Sequence, residues 1–234
     1  MNKNEFLEAL KNLNITPTEG QLKQLEEYYQ LLVEWNEKIN LTAITEEEQV
    51  YLKHFYDSLT VCKIIDLNNQ SNLCDVGTGA GFPGIVLKIF YPNLKITLVD
   101  SLNKRIIFLD KVIKKLNLTG IETIHSRVEE FAKDNREKYD VAIARAVAPI
   151  NILLEYCIPM IKENKYFVSM KGDISREINI LDSSLNKISA KLIKIEEFNL
   201  PIENSKRTLL LISKDKKTNK KFPRKNSEIK KQPL

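Results

Sequence analysis

The sequence has few of the residues that build metal and disulfide sites. It contains two histidines and three cysteines, and Cys62, Cys74 and Cys157 stand far apart without a CxxC pair. This spacing argues against a zinc site and against a disulfide framework. Apolar neighbours surround each cysteine, so we expect three core thiols and no metal ion.

Long apolar runs are also absent. No stretch of 18 consecutive apolar residues occurs, and residues 1–13 have the pattern of an amphipathic helix without the apolar core of a signal peptide. We therefore expect a cytoplasmic protein that has no membrane partner. Its 234 residues, of which 43% are hydrophobic, are enough for one sizeable core.

Basic charge is concentrated at one end of the chain. Residues 214–234 contain nine Lys or Arg against two acidic residues, a charge of +7, so the total of +5 leaves about −2 for residues 1–213. The segment 214–234 is polar and has no hydrophobic period, which predicts a disordered basic tail. Such a tail suits the binding of RNA phosphates, although surface charge of this kind is most often only solvated.

Hydrophobic periodicity divides the rest of the chain in two. Helical spacing up to residue 66 predicts a helical cap over 1–66. From 67 to 213, short β-branched runs alternate with helical segments, which predicts an α/β domain with helices on both faces of a mostly parallel, seven-stranded sheet. The last two strand-like runs, 191–198 and 207–213, are joined by a short loop and predict a terminal antiparallel pair.

Four of the chain's seven glycines fall between positions 77 and 84. Gly77, Gly79 and Gly81 follow a predicted strand and open a predicted helix, where glycine permits a tight turn and a close approach of ligand. The spacing is GxGxG, and Phe82 stands where the GxGxxG loop of dinucleotide-binding proteins has its third glycine. This favours S-adenosylmethionine, which has no phosphate, over a dinucleotide.

An acid follows at the end of the next predicted strand. Asp100, 19 residues after Gly81, is placed to accept hydrogen bonds from two ribose hydroxyls. The alternative is that the glycines only make a turn and that Asp100 only caps the helix beginning near residue 103. Strand, loop, helix and acid occur together in the order that a ligand site requires, so we favour binding.

Several motifs together resemble one family. They are WNEKINLTAI (35–44), HFYDSL (54–59), DVGTGAGFPG (75–84), VDSLNKRIIFL (99–109), ARAVA (144–148), MKG (170–172) and FPRK (222–225). They resemble the RsmG family, also called glucose-inhibited division protein B, of bacterial 16S rRNA guanine-N7 methyltransferases. The resemblance implies a Rossmann-like class I methyltransferase that uses S-adenosylmethionine and methylates 16S rRNA of the small ribosomal subunit as a monomer.

The resemblance also implies roles for individual residues. The positions that match the family's cofactor contacts are Gly77, Gly79, Phe82, Asp100, Val128, Glu129 and Arg145. Val128 stands where the family more often has alanine, and with Glu129 it matches the pair beside the adenine. Lys171 matches a lysine on the rim where RNA would lie, and Lys104 and Arg105 would extend that basic surface unless they are ordinary solvated helix residues.

The residues themselves disfavour two kinds of methylation. Methylation at a pyrimidine C5 needs a cysteine nucleophile, which those enzymes present directly after a proline. None of the three cysteines here follows a proline. Methylation of exocyclic amines usually uses Asn or Asp followed by two prolines, and here that place reads Ala144-Arg145-Ala146. Guanine N7 has a free lone pair and needs positioning rather than a base. Arg145 could then hold guanine O6 or a phosphate, or it could form only a surface ion pair.

Two other functions stay open at this point. An NAD-linked dehydrogenase is disfavoured by the GxGxG spacing and by the antiparallel terminal strands. An RNA-binding or assembly factor that kept the fold without activity is disfavoured by the intact glycine loop. The two histidines have no second metal ligand at useful spacing, so we expect His54 to pack between cap helices and His125 to be structural.

Overall fold

The computed structural model describes residues 1–234, and its centre is one seven-stranded sheet. The strands are β1 (Asn72–Val76), β2 (Lys95–Asp100), β3 (Ile121–His125), β4 (Tyr139–Arg145), β5 (Ile161–Lys171), β6 (Ala190–Asn199) and β7 (Lys206–Lys214). Their order is β3-β2-β1-β4-β5-β7-β6. Strands β1 to β5 pair in parallel, while β7 is antiparallel to both β5 and β6. The predicted sheet and its terminal antiparallel pair are confirmed.

Helices connect the strands as the alternating pattern predicts. They are α5 (Gly84–Phe90), α6 (Asn103–Lys115), α7 (Val128–Asp134), α8 (Ile150–Cys157) and α9 (Ile178–Ile188). The two layers of side chains on the faces of the sheet form separate apolar clusters, one shared with the N-terminal helices and one beneath α7, α8 and α9. The central strands β1, β2 and β4 are buried on both faces, so their sequences are mostly apolar runs, whereas the edge strands β3 and β6 are partly exposed.

The N-terminal region is helical, as expected. It contains α1 (Lys3–Lys11), α2 (Glu19–Ile39), α3 (Glu47–Val50), a π-helical turn (Tyr51–Tyr56), α4 (Asp57–Leu59) and two short 3₁₀ turns (Thr60–Lys63 and Leu67–Asn69). The side chain of Thr18 accepts from the N–H of Gln21 and so caps α2. Phe6, Tyr28 and Phe55 belong to the same buried cluster as sheet residues, so the cap and the sheet share one core. The boundary at residue 66 stays a prediction.

The expectation of a disordered tail is wrong. The segment 215–234 is packed along the outside of α8, and it contains the helix α10 (Asn226–Lys231). Phe222, Ile229 and Leu234 are buried in the cluster beneath α7 to α9. Three apolar residues spread over 13 positions of a lysine-rich segment leave no visible period, yet together they bury enough surface to fix the chain.

A buried ion pair also holds this segment. The guanidinium of Arg224 donates from Nε and Nη2 to the carboxylate of Glu155 in α8, at 2.9 and 2.6 Å. Glu155 has no exposed surface, so the arginine supplies the countercharge and hydrogen bonds that a buried carboxylate requires. Arg136 donates to the carbonyl of Thr218 at 2.5 Å. Part of the positive charge of the segment 215–234, that of Arg224, therefore stabilises the fold.

Candidate active site

A cavity of about 720 Å³ opens at the carboxyl ends of β1 to β5, where the cap leans over the sheet. Open parallel sheets bind ligands at this edge because the loops after several strands meet there. Nine of the ten predicted site residues line the cavity, and the tenth, Lys104, lies exposed outside it. The nine are Gly77, Gly79, Phe82, Asp100, Arg105, Val128, Glu129, Arg145 and Lys171.

Backbone hydrogen bonds fix the glycine loop against the next strand. The N–H groups of Gly77 and Thr78 donate to the carbonyl of Val99 at 2.9 and 3.1 Å, and that of Gly79 donates to Oδ2 of Asp100 at 2.9 Å. Gly77 and Gly79 have φ of +67° and +63°, a conformation that glycine adopts without strain. A Cβ on Gly79 would find its nearest neighbour 4.0 Å away, so the loop leaves open space there.

The end of the loop packs against the cap. A Cβ on Gly81 would lie 2.7 Å from Oη of Tyr28, and this hydroxyl donates to the carbonyl of Ala80. The ring of Phe82 stacks on that of His54, with centroids 4.4 Å apart and planes 18° apart. Gly81 therefore serves packing, and Phe82 connects the loop to the cap.

Asp75, which sequence reasoning did not single out, lies beneath the same loop. Its Oδ2 accepts hydrogen bonds from Oγ1 of Thr78 at 2.7 Å and from the N–H of Gly84 at 2.8 Å, while its Oδ1 has no partner. Burial raises the pKa of Asp75 to about 6, although these hydrogen bonds act to lower it. The carboxyl group ties the two ends of the loop together.

Asp100 is almost fully buried at the end of β2. Besides the bond from Gly79, its Oδ2 lies 3.2 Å from Nη1 of Arg105, and its Oδ1 accepts from the N–H of Leu102 at 2.9 Å. Leu102 precedes α6, so Asp100 does bind the start of that helix. It also lines the cavity, so the two interpretations of this acid are compatible.

Val128 and Glu129 begin α7 on the far side of β2 from the glycine loop. Glu129 is 6% exposed and lines the cavity, and its carboxylate makes no hydrogen bond or ion pair within the chain. A carboxylate that lines a cavity without a partner in the chain is suited to accept from a ligand donor.

Arg145, at the end of β4, is anchored in the cap. Its Nη1 donates to the carbonyl of Lys53 at 2.8 Å and to Oδ2 of Asp57 at 3.2 Å, and its Nη2 lies 3.3 Å from Nδ1 of His54. The guanidinium also lies 5.3 Å from the centroid of the Phe82 ring. Its side chain is 15% exposed, so it is a partly buried cavity residue and not a surface ion pair.

His54 is placed differently from the expected helix-packing role. It lines the cavity between Phe82 and Arg145, and its Nε2 lies 3.0 Å from Oγ1 of Thr42. Burial, followed by the neighbouring charge of Arg145, lowers the pKa of His54 to about 3. The imidazole is therefore neutral at physiological pH.

Asp57 and Arg207 are further cavity residues that sequence reasoning missed. Oδ1 of Asp57 accepts from Nε of Arg207 at 3.0 Å, while its Oδ2 faces Arg145. The one signal in the sequence was His54 and Asp57, three residues apart in the mostly apolar segment 51–59. Polar residues buried in such a run are seldom there for packing alone.

The three predicted RNA-contacting cations differ in their surroundings. Nζ of Lys171 is 2.9 Å from Oε2 of Glu177 and donates to the carbonyl of Ala148 at 2.7 Å. Arg105 is paired with Asp100, as described above. Only Lys104 is exposed and without an ion pair, so it alone has a fully free charge.

Histidine, cysteine and carboxylate side chains nowhere form a group of three or more that could hold a metal ion. No helix has the length and apolar content needed to cross a bilayer. His125 is exposed at the end of β3, with Nε2 3.1 Å from the carbonyl of Ser101. Cys74 and Cys157 are buried thiols, as predicted, whereas Cys62 is only half-buried and lies at the edge of the core.

The strand order, the antiparallel β7 and the cavity at the glycine loop define a class I methyltransferase fold. A SAM-dependent O-methyltransferase from Thermotoga maritima has a similar fold, with a TM-score of 0.54 and 12% identity over 80% of this chain and 72% of that one. At this identity the likeness concerns the fold alone.

Sequence comparison then gives the family. Residues 21–210 match the model of the family described as rRNA small subunit methyltransferase G. The chain is 47% identical to ribosomal RNA small subunit methyltransferase G of Bacillus subtilis, covering 100% of this chain and 99% of that protein. It is 48% identical to the protein of the same name from Desulforamulus reducens, covering 97% and 96%. The chain belongs to the rRNA small subunit methyltransferase G family.

Proposed function

We propose that the protein transfers the methyl group of S-adenosylmethionine to N7 of a guanine in 16S rRNA of the small ribosomal subunit. The observation that carries this proposal is the meeting of the glycine loop, Asp100 and Arg145 in one cavity. The first two are suited to an adenosyl group, and the third is suited to a nucleic acid base. Membership of a family whose members are named as rRNA methyltransferases supports the same conclusion.

The cavity fits S-adenosylmethionine on three observations. The open space at Gly79 admits a ligand close to the backbone. Asp100 offers carboxylate oxygens beside that space, where two ribose hydroxyls need acceptors. Glu129, which lines the cavity without a partner in the chain, would accept a donor from the base. Gly77, Gly79, Phe82, Asp100, Val128 and Glu129 would hold the cofactor, which supplies an electrophilic methyl group when bound.

The methyl acceptor needs no general base, since the lone pair of guanine N7 is free at neutral pH. What the chain must supply is alignment, and well-oriented reactants gain about 7–11 kcal/mol from positioning. Arg145 has five N–H donors, of which Nη1 uses two on the cap. Nε of Arg145 has no acceptor within the chain, so it is free to hold guanine O6 while N7 stays unprotonated and reactive.

His54 keeps this arginine in place without adding charge. A protonated imidazole beside Arg145 would repel it, and the lowered pKa of His54 prevents this above pH 5. Because it is neutral and stacked on Phe82, His54 acts as a positioning residue. It is not required as an acid or base.

The substrate RNA would reach the cavity at its open side, beside Arg145, Lys171 and Arg207. Lys171 is paired with Glu177, so its charge is largely neutralised and its main effect is to fix the edge of the cavity. Lys104 is exposed and is free to bind a phosphate. We infer that the protein works as a monomer in the cytoplasm, where small subunits are assembled.

Two measurements test this function against its rivals. Calorimetry should show binding of S-adenosylhomocysteine and none of NAD, whereas a dehydrogenase would bind NAD. Labelled S-adenosylmethionine should transfer its methyl group to small subunits that lack the modification. Arg145→Lys keeps the charge but not the planar fork of donors, so it should slow transfer at least tenfold and by a larger factor than it weakens cofactor binding. Cofactor binding without transfer would indicate a factor that has lost its activity.

A further inference from the structure

The segment 215–234, here named the C-terminal strap, reaches the cavity from the side of α8. Asn226 and Lys230 lie four residues apart on one face of α10, and both line the cavity. Ile229 between them is fully buried, and the carbonyl of Leu234 accepts from Oγ of Ser184 at 2.9 Å. The strap therefore forms part of the cavity wall, and its buried contacts with the core fix it in that position.

The wall contains a donor without a partner. Oη of Tyr156 in α8 donates to Oδ1 of Asn226 at 3.2 Å. This bond occupies the amide oxygen and leaves the NH₂ group of Asn226 without an acceptor in the chain. Glu129, Tyr156 and Asn226 all line the same cavity, and the charge of Glu129 acts, after burial, to raise the pKa of Tyr156. The lining of one cavity thus contains a donor and an acceptor that have no partner in the chain.

The sheet order indicates where the base of the cofactor would lie. If the ribose binds Asp100 on β2 and the methyl acceptor binds Arg145 on β4, the base of the cofactor would lie on the β3 side, where Glu129 lines the cavity. Adenine carries an exocyclic amine that donates and ring nitrogens that accept. Glu129 and Asn226 supply one acceptor and one donor, which is the complement of that edge.

We propose that the C-terminal strap forms one wall of the adenine pocket, with the NH₂ group of Asn226 donating to an adenine ring nitrogen and Lys230 covering the base. This inference rests on the proposed function. The C-terminal strap was expected from its charge to bind RNA alone. If part of it binds the cofactor, removing the strap would weaken cofactor binding as well as RNA binding.

The test compares point variants, since a deletion would expose buried core. Asn226→Asp keeps the oxygen that accepts from Tyr156 and removes the donors, whereas Asn226→Ala removes both. Each should weaken binding of S-adenosylhomocysteine about three- to tenfold by calorimetry. Lys230→Ala should weaken it about threefold, since less apolar surface covers the base. The matched controls Ser227→Ala and Lys231→Ala, at exposed positions outside the cavity, should leave the affinity unchanged.

The outcomes separate this inference from the function on which it rests. If the wild-type protein binds S-adenosylhomocysteine and Asn226→Asp binds it equally well, the strap is not part of the adenine pocket. If the Asn226 and Lys230 variants lose only affinity for RNA, with a flatter salt dependence, the strap serves the RNA alone and the inference is wrong. If the wild-type protein binds no S-adenosylhomocysteine, the proposed function itself fails.

Discussion

Asp57 in the cap holds Arg145 at the end of β4, with 3.2 Å between Oδ2 and Nη1. The same carboxylate holds Arg207 at the start of β7, with 3.0 Å between Oδ1 and Nε. One buried acid therefore fixes two guanidinium groups that come from distant strands. Because Asp57 is part of the N-terminal region, the cap positions the residues proposed to meet the RNA.

Replacing Asp57 by asparagine tests this connection. The amide is similar in shape but cannot bind both arginines with a charge, so we expect kcat for methyl transfer to fall about 10- to 100-fold. The KM for S-adenosylmethionine should stay within about twofold, because the Asp57 carboxylate bonds to Arg145 and Arg207 and not to the glycine loop, Asp100 or Glu129. A buried group left with weaker partners should also lower the free energy of unfolding by about 1–3 kcal/mol.

A control separates alignment from general weakening of the fold. Asp182→Asn changes an exposed carboxylate on α9 and should alter neither kcat nor stability. An Asp57→Asn protein that is less stable but keeps its full kcat would mean that the cap contact is only structural.

The two glycines of the loop should respond differently to alanine. At Gly77 a Cβ would lie 2.7 Å from Cγ2 of Val147, so Gly77→Ala should lower the melting temperature. At Gly79 the Cβ would enter open space in the cavity, so Gly79→Ala should weaken binding of S-adenosylhomocysteine at least tenfold. Both carry a strain of about 1 kcal/mol from the left-handed backbone, which therefore cancels in the comparison. If both variants lost affinity equally and stability equally, Gly77 and Gly79 would not differ in their surroundings as described.

The neutral state of His54 makes stability depend on pH. The pKa of His54 in the folded protein is about 3, below the ordinary 6.5. Between these two values the imidazole is protonated in the unfolded chain and neutral in the folded protein. Stability should therefore fall as the pH drops from 6.5 towards 3, and at pH 5 the loss is about 2 kcal/mol. Urea unfolding at pH 7.5 and 5.0 measures this loss, and His54→Gln should lack it. The same pH dependence in both proteins would mean that His54 titrates normally.

The sheet could be predicted closely because its signals are local. The predicted strands 191–198 and 207–213 are observed as Ala190–Asn199 and Lys206–Lys214, and the helix expected near residue 103 begins at Asn103. The glycine loop and Asp100 also follow from short-range order, since a strand, a turn and a helix N-terminus adjoin in sequence. Other cavity residues, such as Val128, Glu129 and Arg145, were predicted from the resemblance to the family and not from local order.

The rest depends on contacts that no local pattern records. Asp57 meets Arg145 and Arg207 across 88 and 150 residues, and only the docking of the cap on the sheet brings them together. The strap escaped prediction because its lysines conceal three well-separated apolar anchors. Asn226 of the strap reaches the cavity next to the ion pair between Arg224 and Glu155, which are 69 residues apart in the sequence.

The central claim is the transfer of a methyl group to guanine N7, and the position of the label tests it most directly. Small subunits from cells that lack this protein are incubated with it and labelled S-adenosylmethionine, and the 16S rRNA is digested to nucleosides for mass spectrometry. The account predicts label in 7-methylguanosine alone, strongly reduced with Arg145→Lys. Label on another atom, or no transfer by a protein that binds the cofactor, would contradict it.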